Sequence, residues 1–379
     1  MANTLTSLIP TLYAALDVVS REMIGFIPAV SRNSSEERAA KDESILVPIV
    51  PAVAAADVTP GVNAPDTGDN VIGNVSMTIS KSRMVPVRWN GEETKGLKNA
   101  GTFETINQKR FEQAFRTLSN EIETDLAGTY KDVSRAFGTA GTAPFGTAGE
   151  LDDVAEVLRI LEDNGAPSGD LHLVLGSAAM ANIRGKQAVL FKVNEAGTDS
   201  LLRDGVIGRL EGFNLHNSAK VKLHTKGTGA SFVTNGGEPA GETTIAVDTG
   251  TGTVLAGDVA TFSGDTNKYI VSAALASGTF DIGEPGLQKV LGDTVALTVG
   301  ANYTANMAFH RSAIQLITRT PALPEDGDSA DDRFFITDPL TGLTFEISVY
   351  RQYRQVHFEV AIAWGFKLIK PEHAAILLG

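Results

Sequence analysis

Apolar residues at the start of the chain, Leu5, Leu8, Leu12, Leu16, Val19 and Met23, recur at three- and four-residue steps and so form one stripe of a helix. Pro28 and the polar run Ser31–Glu37 end it as a charged tether. Such a segment either packs as one end of the fold or serves as an arm that docks on another subunit. From Ser44 to Gly101 the period shortens to that of strands: Ile45–Val50, Val71–Ile79 with Val75, Met77 and Ile79 alternating, and Met84–Trp89. Val71–Ser80 and Met84–Asn90 are expected to form a long hairpin around Lys81–Arg83, thin in apolar residues, charged at its tip and projecting from the core.

The strongest pattern follows. Phe111, Phe115, Leu118, Ile122, Leu126, Tyr130, Val133 and Phe137 keep a helical spacing, Thr102 can cap the start and Gly138 stops it. About 35 residues at 1.5 Å each make a helix of roughly 50 Å. The spacing drifts toward four-residue steps instead of a strict heptad, which favours a spine lying across a flat domain over a coiled coil. A Gly/Thr/Ala linker, Gly138–Gly149, leads to a helix Leu151–Asp163 stopped by Asn164-Gly165, a strand Leu171–Leu175 and a helix opened by Ser177.

Beyond Gly236 come short strands punctuated by Gly, Asp and Thr: Thr243–Val247, Val259–Phe262, Tyr269–Ser272, Phe280–Ile282 and Val295–Val299. They read as a small β-barrel inserted into a larger domain. Ala313–Thr318, Phe345–Tyr350 and Val356–Trp364 are strand or helix candidates in the last part, with an acidic loop Glu325–Asp332 among them.

At 379 residues, 42% hydrophobic and 20% charged, the chain has the composition of ordinary folded protein in several parts. A formal charge of −13 is the wrong sign for gripping nucleic acid through its phosphates. The absence of Cys excludes disulfides, thiolate metal sites and thiol nucleophiles. No Lys or Arg precedes Arg21, Asp17 interrupts the first apolar stretch, and no apolar run approaches the ~20 residues of a membrane span. The expectation is a soluble protein made in the cytoplasm, with no membrane partner.

No motif for chemistry is complete. Gly176-Ser177-Ala178-Ala179 lacks the second Gly of a nucleophile elbow, so Ser177 is expected to be a helix cap. Gly185-Lys186 has Met180 and Gln187 where a phosphate loop needs Gly and Ser or Thr. His172, His216, His224, His310, His357 and His373 show no ligand spacing. Asp326, Asp328, Asp331 and Asp332 do not match a calcium loop, since Gly327 is misplaced and no bidentate Glu follows. No catalytic residue, cofactor or metal site is expected. An enzyme built on the α/β segment and a tail or adhesin protein are the rivals from other classes.

Arm, projecting hairpin, spine helix and α/β remainder together resemble the major capsid proteins of tailed bacteriophages, the HK-ninety-seven-type fold. The run Asn306-Met307-Ala308-Phe309-His310-Arg311-Ser312-Ala313-Ile314, continuing through Arg319-Thr320-Pro321-Ala322-Leu323-Pro324, resembles a stretch of the P-twenty-two-like coat proteins. So does the ending, Ile362-Ala363-Trp364-Gly365 followed by Lys370-Pro371-Glu372-His373-Ala374. Gly208-Arg209-Leu210-Glu211-Gly212-Phe213, with Ser218 and Val221, is similar to the segment that precedes the inserted barrel in that group.

The resemblance implies an α+β capsid fold divided into an N-terminal arm (1–43), an extended loop with its hairpin (44–101), the spine helix of a peripheral domain (102–138), the first part of an axial domain (139–235), an inserted barrel (236–300) and a return to both domains (301–379). It implies a non-enzymatic virion protein, assembled in the host cytoplasm. Hexamers and pentamers would build a procapsid and then an icosahedral head around double-stranded DNA, with scaffolding and portal proteins as further partners and no sequence-specific DNA binding. A nanocompartment shell enclosing cargo protein is the rival within the same fold.

The expected subunit contacts are the stripe Leu8, Leu12, Leu16 and Val19 and the hairpin cations Lys81, Arg83 and Arg88. Lys81, Arg83, Arg88, Lys95 and Lys98 against Glu92 and Glu93 give a net of +3. From Glu36 to Asp69, Arg38 and Lys41 against Glu36, Glu37, Asp42, Glu43, Asp57, Asp66 and Asp69 give −5. Opposite fields on separate segments suit docking between neighbours; the alternative is a solvated turn whose charges only aid solubility.

Overall fold

The computed structural model describes residues 12, 25–49, 55, 57–58, 60, 73–187, 208–338 and 341–379. In chain order, a single helical turn Phe26–Ala29 leads to β1 (Ser31–Ala39), β2 (Ser44–Ile49), β3 (Gly73–Thr78), β4 (Lys81–Asn90), α1 (Gly91–Asn99), α2 (Phe103–Leu126), β5 (Arg135–Phe137), α3 (Asp152–Asp163), β6 (Leu171–Leu175) and α4 (Ser177–Lys186). Then come β7 (Arg209–Leu210), β8 (Phe213–Asn217), β9 (Leu223–His224), β10 (Val233–Thr234), β11 (Thr244–Asp248), β12 (Val259–Phe262), β13 (Lys268–Ala276), β14 (Thr279–Ile282) and β15 (Leu297–Val299). The chain closes with β16 (Tyr303–His310), β17 (Ile314–Pro321), β18 (Asp332–Thr337), β19 (Thr344–Gln352), β20 (Gln355–Leu368) and β21 (Ala374–Leu378). The protein is α+β.

One sheet runs β1-β17-β20-β19-β18, with β4 on the far side of β20. The spine helix α2 lies on it because its stripe is apolar: Phe111, Phe115, Leu118, Ile122 and Leu126 are buried against Val87, Phe345, Ile347, Val360 and Ile362. Phe115 meets Phe345 edge-on at 5.1 Å, and Phe111 meets Phe358 at 5.6 Å. Both tryptophans of the chain pin the helix, Trp89 Nε1 donating to Asn107 Oδ1 and Trp364 Nε1 to Asp125 Oδ2, each at 2.9 Å.

A second sheet, β5-β21-β16-β6-β8-β7, carries α3 and α4, whose Val154, Val157, Leu161, Met180 and Ile183 pack on Leu171, Leu173, Leu175 and Phe213. The two sheets are spliced twice. β16 turns into β17 through Arg311–Ala313, and β20 turns into β21 through Pro371–His373. These turns lie side by side, Ile369 N donating to Ala313 O at 2.7 Å and the His310 and His373 rings 6.3 Å apart.

Strands β10-β11-β14-β13-β12-β15 pair in series, and the Val233–Ala296 bridge closes them into a ring with its own core of Phe232, Ile245, Val247, Phe262, Tyr269 and Phe280. The ring begins just ahead of the boundary expected at 236. It is sewn to the second sheet, because β13 also pairs with β5.

Several expectations change. The spine helix ends at Leu126, continues as a tighter turn Ala127–Asp132 and gives way to β5. Gly128 weakens the helix there, while Tyr130 and Val133 keep a helix-like spacing on what is no longer α-helix. The hairpin is the antiparallel pair β2–β3, and β4 pairs with β20 instead, placing Lys81 opposite Trp364. Between Ile79 and Arg83 there is no Gly, Pro, Asn or Asp to turn a hairpin. Ile79 bonds the backbones of Asp42 and Glu43 and hands the chain to the larger sheet. The expected tether Ser31–Glu37 belongs to β1, a strand parallel to β17 whose polar side chains are bonded, Ser34 to Thr318 and Arg38 to Glu346. Ser177 is the first residue of α4 and Gly176 its cap, and Thr102 makes no side-chain cap bond.

Candidate assembly surfaces and buried polar clusters

Of the expected contact residues, Leu8, Leu16 and Val19 lie outside the described residues. Leu12 is fully buried in the core that holds Phe26, Ile27 and the spine helix. Lys81 and Arg83 turn inward to α2. Lys81 Nζ lies 2.8 Å from Asp125 Oδ1 and 3.1 Å from Glu121 Oε1, and Arg83 Nε lies 3.2 Å from the same Glu121 oxygen. Burial works against the Lys81 charge, but hydrogen bonds to Asp125 and Glu121 outweigh it and its pKa rises. Arg88, opposite His357 on β20, is exposed.

Sequence patterns missed Glu123, which in a helical stripe reads as one more solvated charge. It is 1% exposed. Its Oε1 accepts the amides of Gly25 and Phe26 at 2.6 and 2.7 Å and the Ser218 hydroxyl at 2.8 Å, and Oε2 accepts Ile27 N at 3.0 Å. Burial pushes its pKa up against the pull of these donors. One carboxylate thus ties the spine, the N-terminal segment and the strand β8 side of the second sheet. Gly25 is required at that approach, since a Cβ there would stand 2.9 Å from Ser218 Cβ.

A second cluster fixes the barrel. His224 Nε2 lies 2.8 Å from Asp258 Oδ1, and Tyr130 Oη lies 2.8 Å from His224 Nδ1. With Asp258 as acceptor, His224 donates from Nε2 and accepts the Tyr130 hydroxyl at Nδ1. Asp258 also accepts the amides of Gly227 and Leu255, and Tyr303 donates to Gly257 O. The Asp–His–Tyr order has the shape of an acid–base relay, but every member is spent on structural bonds.

The third cluster sits beside the double splice. His172 Nε2 lies 3.0 Å from Asp170 Oδ1, its Nδ1 lies 2.9 Å from His216 Nε2, and Arg311 Nε lies 2.8 Å from Asp170 Oδ2. Desolvation, with the neighbouring His172 and Arg311, lowers His216 to about 4. Desolvation also lowers His172, His310 and His373. Among the described residues no group of three or more His, Cys, Asp or Glu could hold a metal ion, and no helix is long and apolar enough to cross a membrane.

No family model matches the chain, and no curated protein matches it. Solved structures do. The capsid of Cyanophage P-SCSP1u is 10% identical at a TM-score of 0.48, covering 92% of this chain and 86% of that one. Mycobacterium phage Che8 is 13% identical at 0.42, covering 89% and 85%. A virus-like particle from Pyrococcus furiosus is 10% identical at 0.41, covering 97% and 98%. Likenesses this distant assign no function.

Proposed function

We propose that this chain is a shell subunit of the tailed-phage major capsid type. It assembles into hexamers and pentamers of an icosahedral head around double-stranded DNA, with scaffolding and portal proteins as further partners. The observation that carries the reading is the order of parts: hairpin β2–β3, spine α2 pinned on one sheet, a second sheet interrupted by a closed barrel, and a return through both sheets. The strings Asn306–Pro324 and Ile362–Ala374, which resemble coat-protein stretches, fall on the strands and turns of the double splice. A net charge of −13 suits a container that surrounds DNA without gripping it.

Electron microscopy of the purified protein tests this directly. Closed, uniform shells are expected, alone or with a scaffolding protein; a chain that stays monomeric under both conditions overturns the reading. Shells that form in the producing cell around protein cargo in place of DNA would move it to the nanocompartment class.

A further inference from the structure

Where β4 meets β20, an open groove of about 1090 Å³ lies between α1 and the β19–β20 turn. Lys95 and Lys98 line it from α1, and Arg351 and Arg354 from the turn, against the carboxylate of Glu92: a local net of +3 in a chain of −13. All four cations are exposed. The rim is preorganised, since Asn90 and Glu93 cap α1 reciprocally and Gly91 N donates to Arg354 O at 3.0 Å.

The acidic loop adjoins it. Asp331 Oδ2 accepts Arg351 N at 2.8 Å and stands 3.8 Å from the Arg351 guanidinium. Asp328 is taken up within the subunit by Arg333 at 2.6 Å and Tyr350 at 2.7 Å. Glu325 and Asp326, farther out on the same loop, are exposed.

We propose that this edge is a self-complementary contact in which the groove of one copy receives the Glu325–Asp326 end of a second copy's acidic loop. Adjoining lobes of opposite sign let two copies meet edge to edge, the groove of each receiving the other's acidic loop about a two-fold axis, one of the contact types a closed shell contains. A phosphate backbone is the other polyanion the groove would attract, but the adjoining carboxylates repel it. The contact deepens the shell-subunit reading and rests on it for its setting.

A charge swap tests it on the full chain. Lys95→Glu with Lys98→Glu, and separately Glu325→Lys with Asp326→Lys, should each weaken self-association in sedimentation by roughly tenfold or more at low salt. Thermal unfolding should shift only slightly, since the substituted side chains are exposed and Lys98 gives up a contact over the Phe103 ring and a favourable place in the last turn of α1. Combining all four changes should restore association. A combined variant no better than either parent overturns the contact, as does loss of duplex-DNA binding in the lysine variant with normal association in both pairs. A wild-type chain that never associates overturns contact and shell together. Open rings or sheets that obey the swap keep the contact and overturn only the closed shell.

Discussion

Glu123 accepts the amide of Gly25 at 2.6 Å, across 98 residues of sequence. A buried carboxylate in the last turn of the spine therefore does for the N-terminal segment what a capping side chain does for a helix. Glu123→Ala would leave three amides and a hydroxyl without their acceptor, each orphaned buried donor costing about 1–3 kcal/mol. We expect a loss of several kcal/mol in denaturant unfolding and a smaller one for Glu123→Gln, which keeps a single acceptor oxygen. An unchanged midpoint for the alanine variant would remove the capping role.

Lys81 and Arg83 are spent inside the subunit, so reversing them tests folding before assembly. Lys81→Glu sets a third carboxylate beside Glu121 and Asp125 and should destabilise the isolated subunit by about 1 kcal/mol or more. Arg88→Glu, on an exposed position, should change stability by no more than about 0.5 kcal/mol. Impaired assembly in the Arg88 variant at normal stability would support a contact role for that residue alone; a Lys81 variant as stable as wild type contradicts the intramolecular pairing.

Acid should loosen the double splice. His172 and His216 titrate below their ordinary range in the folded chain, His216 at about 4. The unfolded chain therefore binds more protons between the folded and unfolded pKa values. Stability is complete above about pH 6.5 and falls as pH drops toward 4, each tenfold difference in proton affinity between the two states being worth about 1.4 kcal/mol. His216→Gln should flatten the drop, read as unfolding midpoint against pH. A profile in the variant as steep as in wild type would place the acid sensitivity elsewhere.

Gly365 is held by crowding. A Cβ there would lie 2.1 Å from Thr78 O, where β20 passes the end of β3. Gly365→Ala must push the hairpin root away, and we expect a loss of about 1–3 kcal/mol, with hydrogen exchange quickening in β2 and β3. Unaltered exchange in that hairpin would show that the contact carries no weight.

How much of this was legible in the sequence depends on where the partners lie. The stripe Phe111–Leu126 announces its buried face because helical neighbours are local, and the barrel strands are flagged by their own turns. The end of the spine was not legible, since Tyr130 and Val133 retain the spacing after Gly128 has ended the helix. Strand β1 was hidden because Ser34 and Arg38 pair polar groups with polar groups, to Thr318 and Glu346, and hydropathy cannot distinguish that from a solvated tether. Glu123, the pair His172 and His216, and the inward turn of Lys81 and Arg83 depend on partners 38 to 98 residues away, which no local pattern encodes.

The double splice also has a mechanical meaning. A single linker between two bodies leaves every rotation open, whereas two linkers bonded to each other at Ala313 and Ile369 define a line. The spine running on into β5, and Glu123 reaching from it to Gly25 and Ser218, join the same two sheets at a further place, so tilting about that line is opposed as well as twisting. The angle between the sheets is thus braced within a single subunit, with His310 and His373 meeting at its vertex.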